Sequence, residues 1–96
     1  MSLHIFEIKD ASERMIRLTI ERWKHIAQEH PEINSIEELK QTLLFPIIIK
    51  KSHYDPQSTV WYYRYLKERK QYLLVAVRYL NGNGFIITAY FTRTIK

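Results

Sequence analysis

The stretch YLLVAVRYLNGNGFIITAYFT, residues 72–92, decides the fold. Residues 72–80 are apolar or aromatic apart from Arg78, and such a run predicts a strand buried on both faces, or nearly so. The NGNG that follows predicts a hairpin, because asparagine and glycine accept positive φ at low cost. FIITAYFT, residues 85–92, is then the last strand. Period-2 alternation puts Phe85, Ile87, Ala89 and Phe91 on one face, expected to be the core side against helices. Ile86, Thr88, Tyr90 and Thr92 fall on the other, which offers two hydroxyls and a phenol on a face that can be open. Threonine and tyrosine are also simply good strand formers, and that reading carries equal weight.

Working outward, Val60–Leu66 is β-branched and aromatic and predicts the strand before it, reached through the polar loop HYDPQST. Along it Tyr62 and Arg64 share one face, while Trp61, Tyr63 and Tyr65 share the other. Arg64 is the cation expected beside the hydroxyl row. Pro46 precedes IIIKKS, which reads as a strand start. Further upstream, Ser35 and Glu38 form a capping box that opens a helix running to about Leu44. Thr19 caps an earlier helix from about Ile20 to His30, and Pro31 ends it, because a residue before proline is pushed out of the helical region. LHIFEI and RMIRLT flank KDASE and predict a short N-terminal hairpin. The expected fold is therefore α+β: a short hairpin or strand, then two helices packed on a roughly four-stranded antiparallel sheet, with residues 1–96 as one domain.

Composition agrees with a packed fold, since 46% of residues are hydrophobic and 26% charged. No cysteine is present, which excludes disulfide staples and thiolate ligands. MSLHIFEIKD is too charged and too short in apolar run for a signal peptide, and no stretch is long enough for a membrane span, so a cytoplasmic location is the simpler expectation and no membrane partner is expected. The net charge of +5 is unevenly spread. Residues 1–49 hold six Lys and Arg against eight Asp and Glu, whereas residues 50–96 hold nine against two. In WYYRYLKERKQY, residues 61–72, rings alternate with Arg64, Lys67, Arg69 and Lys70. Cations that neutralise phosphate beside rings that stack on bases suit RNA or another single-stranded nucleic acid. A small basic domain with a tyrosine-rich strand is the bland alternative.

RWKHIAQEHPE, residues 22–32, places His25 and His30 on the first helix. At 100° per residue Ile20, Trp23, Ala27 and His30 share the face expected against the sheet, with Ile26 at its edge. His30 is thus either a structural group closing the helix end or a site residue. His25 lies about 140° away around the helix, beside Arg22 and Glu29, and is either catalytic or merely solvated. The two rings cannot meet one ion across that angle, so no metal and no cofactor are expected.

Three strings, RWKHIAQEHPEI, IEELKQTLLFPIII and YLLVAVRYLNGNGFIITAYFT, resemble a family of small bacterial and phage proteins grouped with the barnase, EndoU, colicin D and RelE-like nucleases, the BECR superfamily. The resemblance spans roughly residues 15–96 and rests on W–x–x–I–x–x–x–HPE, T–x–x–x–P and ITAY. It implies two helices before a four-stranded antiparallel sheet, and a metal-free RNase, often the toxin of a toxin–antitoxin or phage-related system. It also implies an acidic antitoxin or immunity protein as partner. His30 of HPE, and Thr88 and Tyr90 of TAY, match the family pattern best; Arg22 and His25 match less distinctively. No acidic residue matches the glutamate base of barnase-like members.

Metal-independent cleavage uses the 2′-OH of RNA as nucleophile and needs a proton acceptor, a proton donor and cations for the charge on the phosphorane. Histidine titrates near neutral pH and can serve either proton role, which makes His25 and His30 the first candidates. Arg64 would hold the phosphate, and Thr88 and Tyr90 would donate to its oxygens or orient the ribose. The candidate RNA contacts are Arg22, Tyr62, Tyr63, Lys67, Arg69, Lys70, Arg78 and Thr92, with the two tyrosines as stacking surfaces. A module that binds RNA or protein without cutting, an oligomer built from the acidic and basic halves, and an inactive scaffold remain as alternatives.

Overall fold

The computed structural model describes residues 4–96. In chain order the elements are β1 (His4–Lys9), β2 (Met15–Thr19), α1 (Ile20–Glu29), α2 (Ile36–Leu44), β3 (Ile48–Lys51), β4 (Thr59–Leu66), β5 (Gln71–Leu80) and β6 (Asn83–Thr92). The fold is α+β. Leu3, which opens the first predicted run, lies outside the described residues.

Both helices start where side-chain oxygens meet otherwise unpaired backbone N–H groups. Thr19 Oγ1 accepts from Arg22 N at 3.1 Å, and Ser35 Oγ accepts from Glu38 N at 3.2 Å. His30 and Phe45 close the two helices through bonds to Ile26 O and Gln41 O. Asn81 and Gly82 both take positive φ, 53° and 82°, and turn β5 into β6 as the NGNG string requires.

The sheet is larger than expected and mixed: six strands in the order β1-β2-β6-β5-β4-β3. β3 to β6 pair antiparallel in sequence, and the N-terminal hairpin joins them through a parallel ladder between β2 and β6. That ladder is short, from Met15 opposite Asn83 to Arg17 opposite Phe85. Gly84 sits inside it because a Cβ there would meet Tyr79 Cε1 at 2.8 Å, Val77 Cγ1 at 2.9 Å and Ile16 Cγ1 at 3.1 Å.

One face of the sheet carries the helices. Ile26, Leu39 and Leu43 pack there with Phe6, Ile16, Leu18, Tyr62, Leu73, Val75, Val77, Ile86 and Ala89. On α1, Ile26 is the fully buried residue rather than an edge position, and Ile20 is exposed. The other face has a second apolar cluster, Trp61, Tyr63, Leu74 and Ala76 with Tyr72, Ile87, Tyr90 and Ile95, and none of these residues belongs to a helix.

β6 departs from simple alternation. Ala76 pairs with Thr88 and Val77 with Ile86, so Ile87 is an extra residue, a β-bulge. The bulge resets the phase of the strand. Ile86 and Ala89 both join the helix side, while Ile87 joins the helix-free side. Phe85, opposite Arg78 and Arg17, also faces away from the helices. The expected core set of Phe85, Ile87, Ala89 and Phe91 is therefore split between the two faces, as is its complement.

Candidate functional site

The helix-free face holds a cleft of about 280 Å³ between β4, β5, β6 and the loop before β4. Across three neighbouring strands Trp61 lies opposite Ala76 and Ala76 opposite Thr88, so the smallest side chain of the row makes its floor. Tyr54, Asp55, Arg78, Ile87 and Tyr90 are among the residues that line it. Asp55 is held by the turn it closes: Ser58 Oγ donates to its Oδ2 at 2.5 Å and Thr59 Oγ1 at 3.0 Å. These hydrogen bonds hold its carboxyl below the usual carboxylate range. Arg78 Nη2 stands 3.6 Å from the same oxygen, an exposed ion pair worth little by itself.

His30 reaches this site from the side. β2 accompanies β6 only as far as Phe85, and there the chain turns into α1, which packs on β2 and β6. The end of α1 thus comes beside the unpaired flank of β6, and the His30 ring stacks on Tyr90 at 5.6 Å between centroids with 28° between planes. Nδ1 of His30 lies 3.8 Å from Glu32 Oε2, a carboxylate that sequence reading had not singled out. Lys96 Nζ also stands over the Tyr90 ring, 5.4 Å from its centre. The segment carrying Lys96 lies over the face: its backbone N–H donates to Tyr63 Oη at 3.3 Å, and Lys50 Nζ donates to its carbonyl.

Three expected placements are corrected. Arg64 is not beside the hydroxyl row; it pairs with Leu73 on the helix side, whereas Thr88 and Tyr90 line the cleft on the other. Its phase was right, but the bulge and the helix positions decide which face is open. Tyr62 and Tyr63 are each fully buried and present no ring to a base. Burial pushes the Tyr63 phenol up, and Tyr62 is engaged in a core network described below.

The other candidates are dispersed. His25 is half exposed and its Nε2 is 2.9 Å from Glu29 Oε1; with Arg22, Thr19 and Glu21 it lines a separate polar pocket. Lys67, Arg69 and Lys70 occupy the β4–β5 turn, with Arg69 over the Phe91 ring at 3.9 Å. Thr92, opposite Tyr72, is at that same end, and its Oγ1 donates to Thr94 O at 3.1 Å. Arg78 is at the far end of β5, roughly 20 Å or more away at about 3.3 Å per residue. Among the described residues no three His, Asp or Glu side chains converge as metal ligands.

Sequence reading missed Asp10 entirely. Its side chain is 5% exposed and Oδ1 accepts from Ser12 N (2.9 Å), Ser12 Oγ (2.7 Å) and Arg14 N (2.9 Å). Oδ2 accepts a short bond from Tyr62 Oη, which also shares one with Tyr79 Oη. Burial alone would raise the Asp10 pKa, but the bonds from Tyr62, Ser12 and Arg14 outweigh it and hold the carboxyl below its usual value. Burial, then the bonds with Asp10 and Tyr79, push the Tyr62 phenol far up, and burial raises Tyr79. Arg14 covers the Tyr79 ring at 3.9 Å. The network fastens the N-terminal hairpin to the meander. The D–x–S pattern of an Asx turn was visible in KDASE, but its tyrosine partners, 52 and 69 residues away, were not.

No protein family, curated protein or solved structure matches the chain.

Proposed function

We propose that the chain is a metal-independent endoribonuclease of the barnase, EndoU, colicin D and RelE-like kind, the toxin of a toxin–antitoxin or phage-related system. The observation that carries this reading is the convergence of His30, Tyr90 and Thr88 at one flank of β6, beside a cleft rimmed by Arg78. Two helices placed before an antiparallel run of strands support it as well.

The chemistry is attack of a ribose 2′-oxygen on the adjacent phosphorus. The O2′–P bond forms, the P–O5′ bond breaks, the 2′ proton goes to a base and the leaving O5′ takes up a proton. Products are a 2′,3′-cyclic phosphate and a 5′-hydroxyl. His30 performs one of the two proton transfers, with its ring stacked on Tyr90 and Glu32 Oε2 3.8 Å from its Nδ1. The Thr88 and Tyr90 hydroxyls donate to the non-bridging oxygens, and neither is committed to a hydrogen bond among the described residues. Arg78 takes the phosphate role that sequence had given to Arg64. An acidic antitoxin or immunity protein is the expected partner of so basic a C-terminal half.

One observation favours a second reading, a module that binds RNA without cutting it. Lys67, Arg69 and Lys70 gather at the β4–β5 turn, away from the cleft, as cations that grip a strand rather than act on it. Cleavage of single-stranded RNA by His30→Gln and Tyr90→Phe separates the two. The nuclease reading predicts a loss of about 10²-fold or more for His30→Gln with RNA affinity nearly unchanged. Full activity in both variants would remove His30 and Tyr90 from the chemistry, and a gel shift with no cleavage by the unaltered protein would favour the module.

A further inference from the structure

We infer that the cleft over Ala76 is a subsite for one unpaired nucleobase of the RNA strand. This rests on the RNA reading above and deepens it by assigning a base pocket next to His30 and Tyr90. The cleft is a built recess. Leu74, Ala76 and Trp61 are at most 5% exposed although they lie on the helix-free face, so side chains around them stand above a sunken floor. The recess exists because Ala76 separates Trp61 from Thr88 in one cross-strand row. A larger residue at that position would fill it. Its 280 Å³ is close to the roughly 300 Å³ at which small-molecule pockets begin, room for a base and part of its ribose.

The polar groups select the ligand. Trp61 Nε1–H makes no hydrogen bond within the described residues, yet no buried side-chain nitrogen there lacks a partner, so the exposed sliver of Trp61 includes that donor. The Thr88 and Tyr90 hydroxyls are likewise uncommitted, and the Arg78 guanidinium stands at the rim. Apolar floor with these donors around it, and with the Asp55 carboxylate 3.6 Å from Arg78 as an acceptor, fits a flat unsaturated ring bearing both N–H donors and carbonyl or ring-nitrogen acceptors. An aliphatic ligand would leave the donors unpaired, and a bare sugar would not use the floor. Tyr54, 89% exposed and edge-on to Trp61 at 6.1 Å, supplies a ring for stacking.

The test is fluorescence of Trp61 in a Trp23→Phe background, which leaves it as the single indole. The protein is titrated with each of the four nucleoside 3′-monophosphates, and with ribose 5-phosphate as the probe lacking a base. The expected result is a saturable change with a Kd near or below about 1 mM for at least one nucleotide and none for ribose 5-phosphate. Ala76→Leu should abolish it, and Tyr54→Ala should weaken it about fivefold or more. Tyr54 is too exposed to affect folding, so that variant decides the matter if Ala76→Leu does not fold. The inference is overturned if no nucleotide saturates, if ribose 5-phosphate binds as well, or if Tyr54→Ala binds undiminished. RNA cleavage by the same proteins keeps the two readings apart. Nucleotide binding without cleavage upholds the pocket and sinks the nuclease, whereas cleavage with no nucleotide binding does the reverse.

Discussion

Asp10 shows how much one buried carboxylate can hold together. Asp10→Asn keeps the shape but loses the charge and presents an amide NH₂ to groups that are themselves donors. About 2–3 kcal/mol of stability should disappear in urea denaturation. The pH dependence follows from the sign of the shift. The folded-state pKa lies below the ordinary 3.8, so the unfolded chain takes up the proton first as pH falls. The contribution is complete above about pH 4 and is lost as pH falls through the folded value; Asp10→Asn should flatten that acid limb, leaving the part owed to Asp55. An unchanged acid limb would show that the network does not hold the hairpin. Gly84 makes the complementary point. With three heavy atoms between 2.8 and 3.1 Å from any Cβ there, Gly84→Ala should cost about 1–3 kcal/mol through overpacking, measured by the same denaturation. The sequence marks both as turn residues, Asp10 in KDASE and Gly84 in NGNG, but not the tyrosines that meet Asp10 or the close approach of Tyr79, Val77 and Ile16 at Gly84.

At the scale of elements, what is coded locally was readable. Thr19, Ser35 and the Asn81-Gly82 turn act within a few residues of themselves, and each marks its boundary in the structure. Thr19→Ala removes the bond to Arg22 N and should destabilise the fold by about 1 kcal/mol. It should also loosen α1, which carries His30 to Tyr90, and weaken the His30–Tyr90 contact as followed by NMR shifts of the two rings. If those shifts do not move, the helix start does not position His30. Long-range choices were not readable. Phe85, Ile86, Ile87 and Thr88 are all good strand formers, and nothing in their order marks Ile87 as the bulged residue. The parallel β2–β6 ladder joins segments that the sequence separates by both helices, so no local signal announces it.

For the whole molecule, layering decides where chemistry can occur. Both helices cover one face of the sheet, and the other keeps Trp61, Thr88, Tyr90 and Arg78 around one cleft. Motif resemblance pointed to His30, Thr88 and Tyr90; the His30 ring stacks on Tyr90, and Thr88 lies two residues before Tyr90 on β6. Arg64 was misplaced because alternation assigns residues to two faces without saying which face the helices take. Tyr62 and Tyr63 point to opposite faces and are both buried, Tyr62 under the helices and Tyr63 among Tyr72, Tyr90 and Ile95, coverings that alternation along one strand does not reveal. No helix among the described residues is long and apolar enough to cross a membrane. The cations of the second half are spread over the molecule: Arg78 at the cleft rim, Lys67, Arg69 and Lys70 at the β4–β5 turn, Lys50 and Lys51 on β3, and Arg64 on the helix side.

The measurement that tests this account most directly is incubation of the purified protein with single-stranded RNA in EDTA, followed by analysis of the product ends. The account predicts fragments ending in 2′,3′-cyclic phosphate and beginning with 5′-hydroxyl, absent when folded His30→Gln replaces the unaltered protein. Intact RNA, or fragments bearing 5′-phosphate, would contradict it.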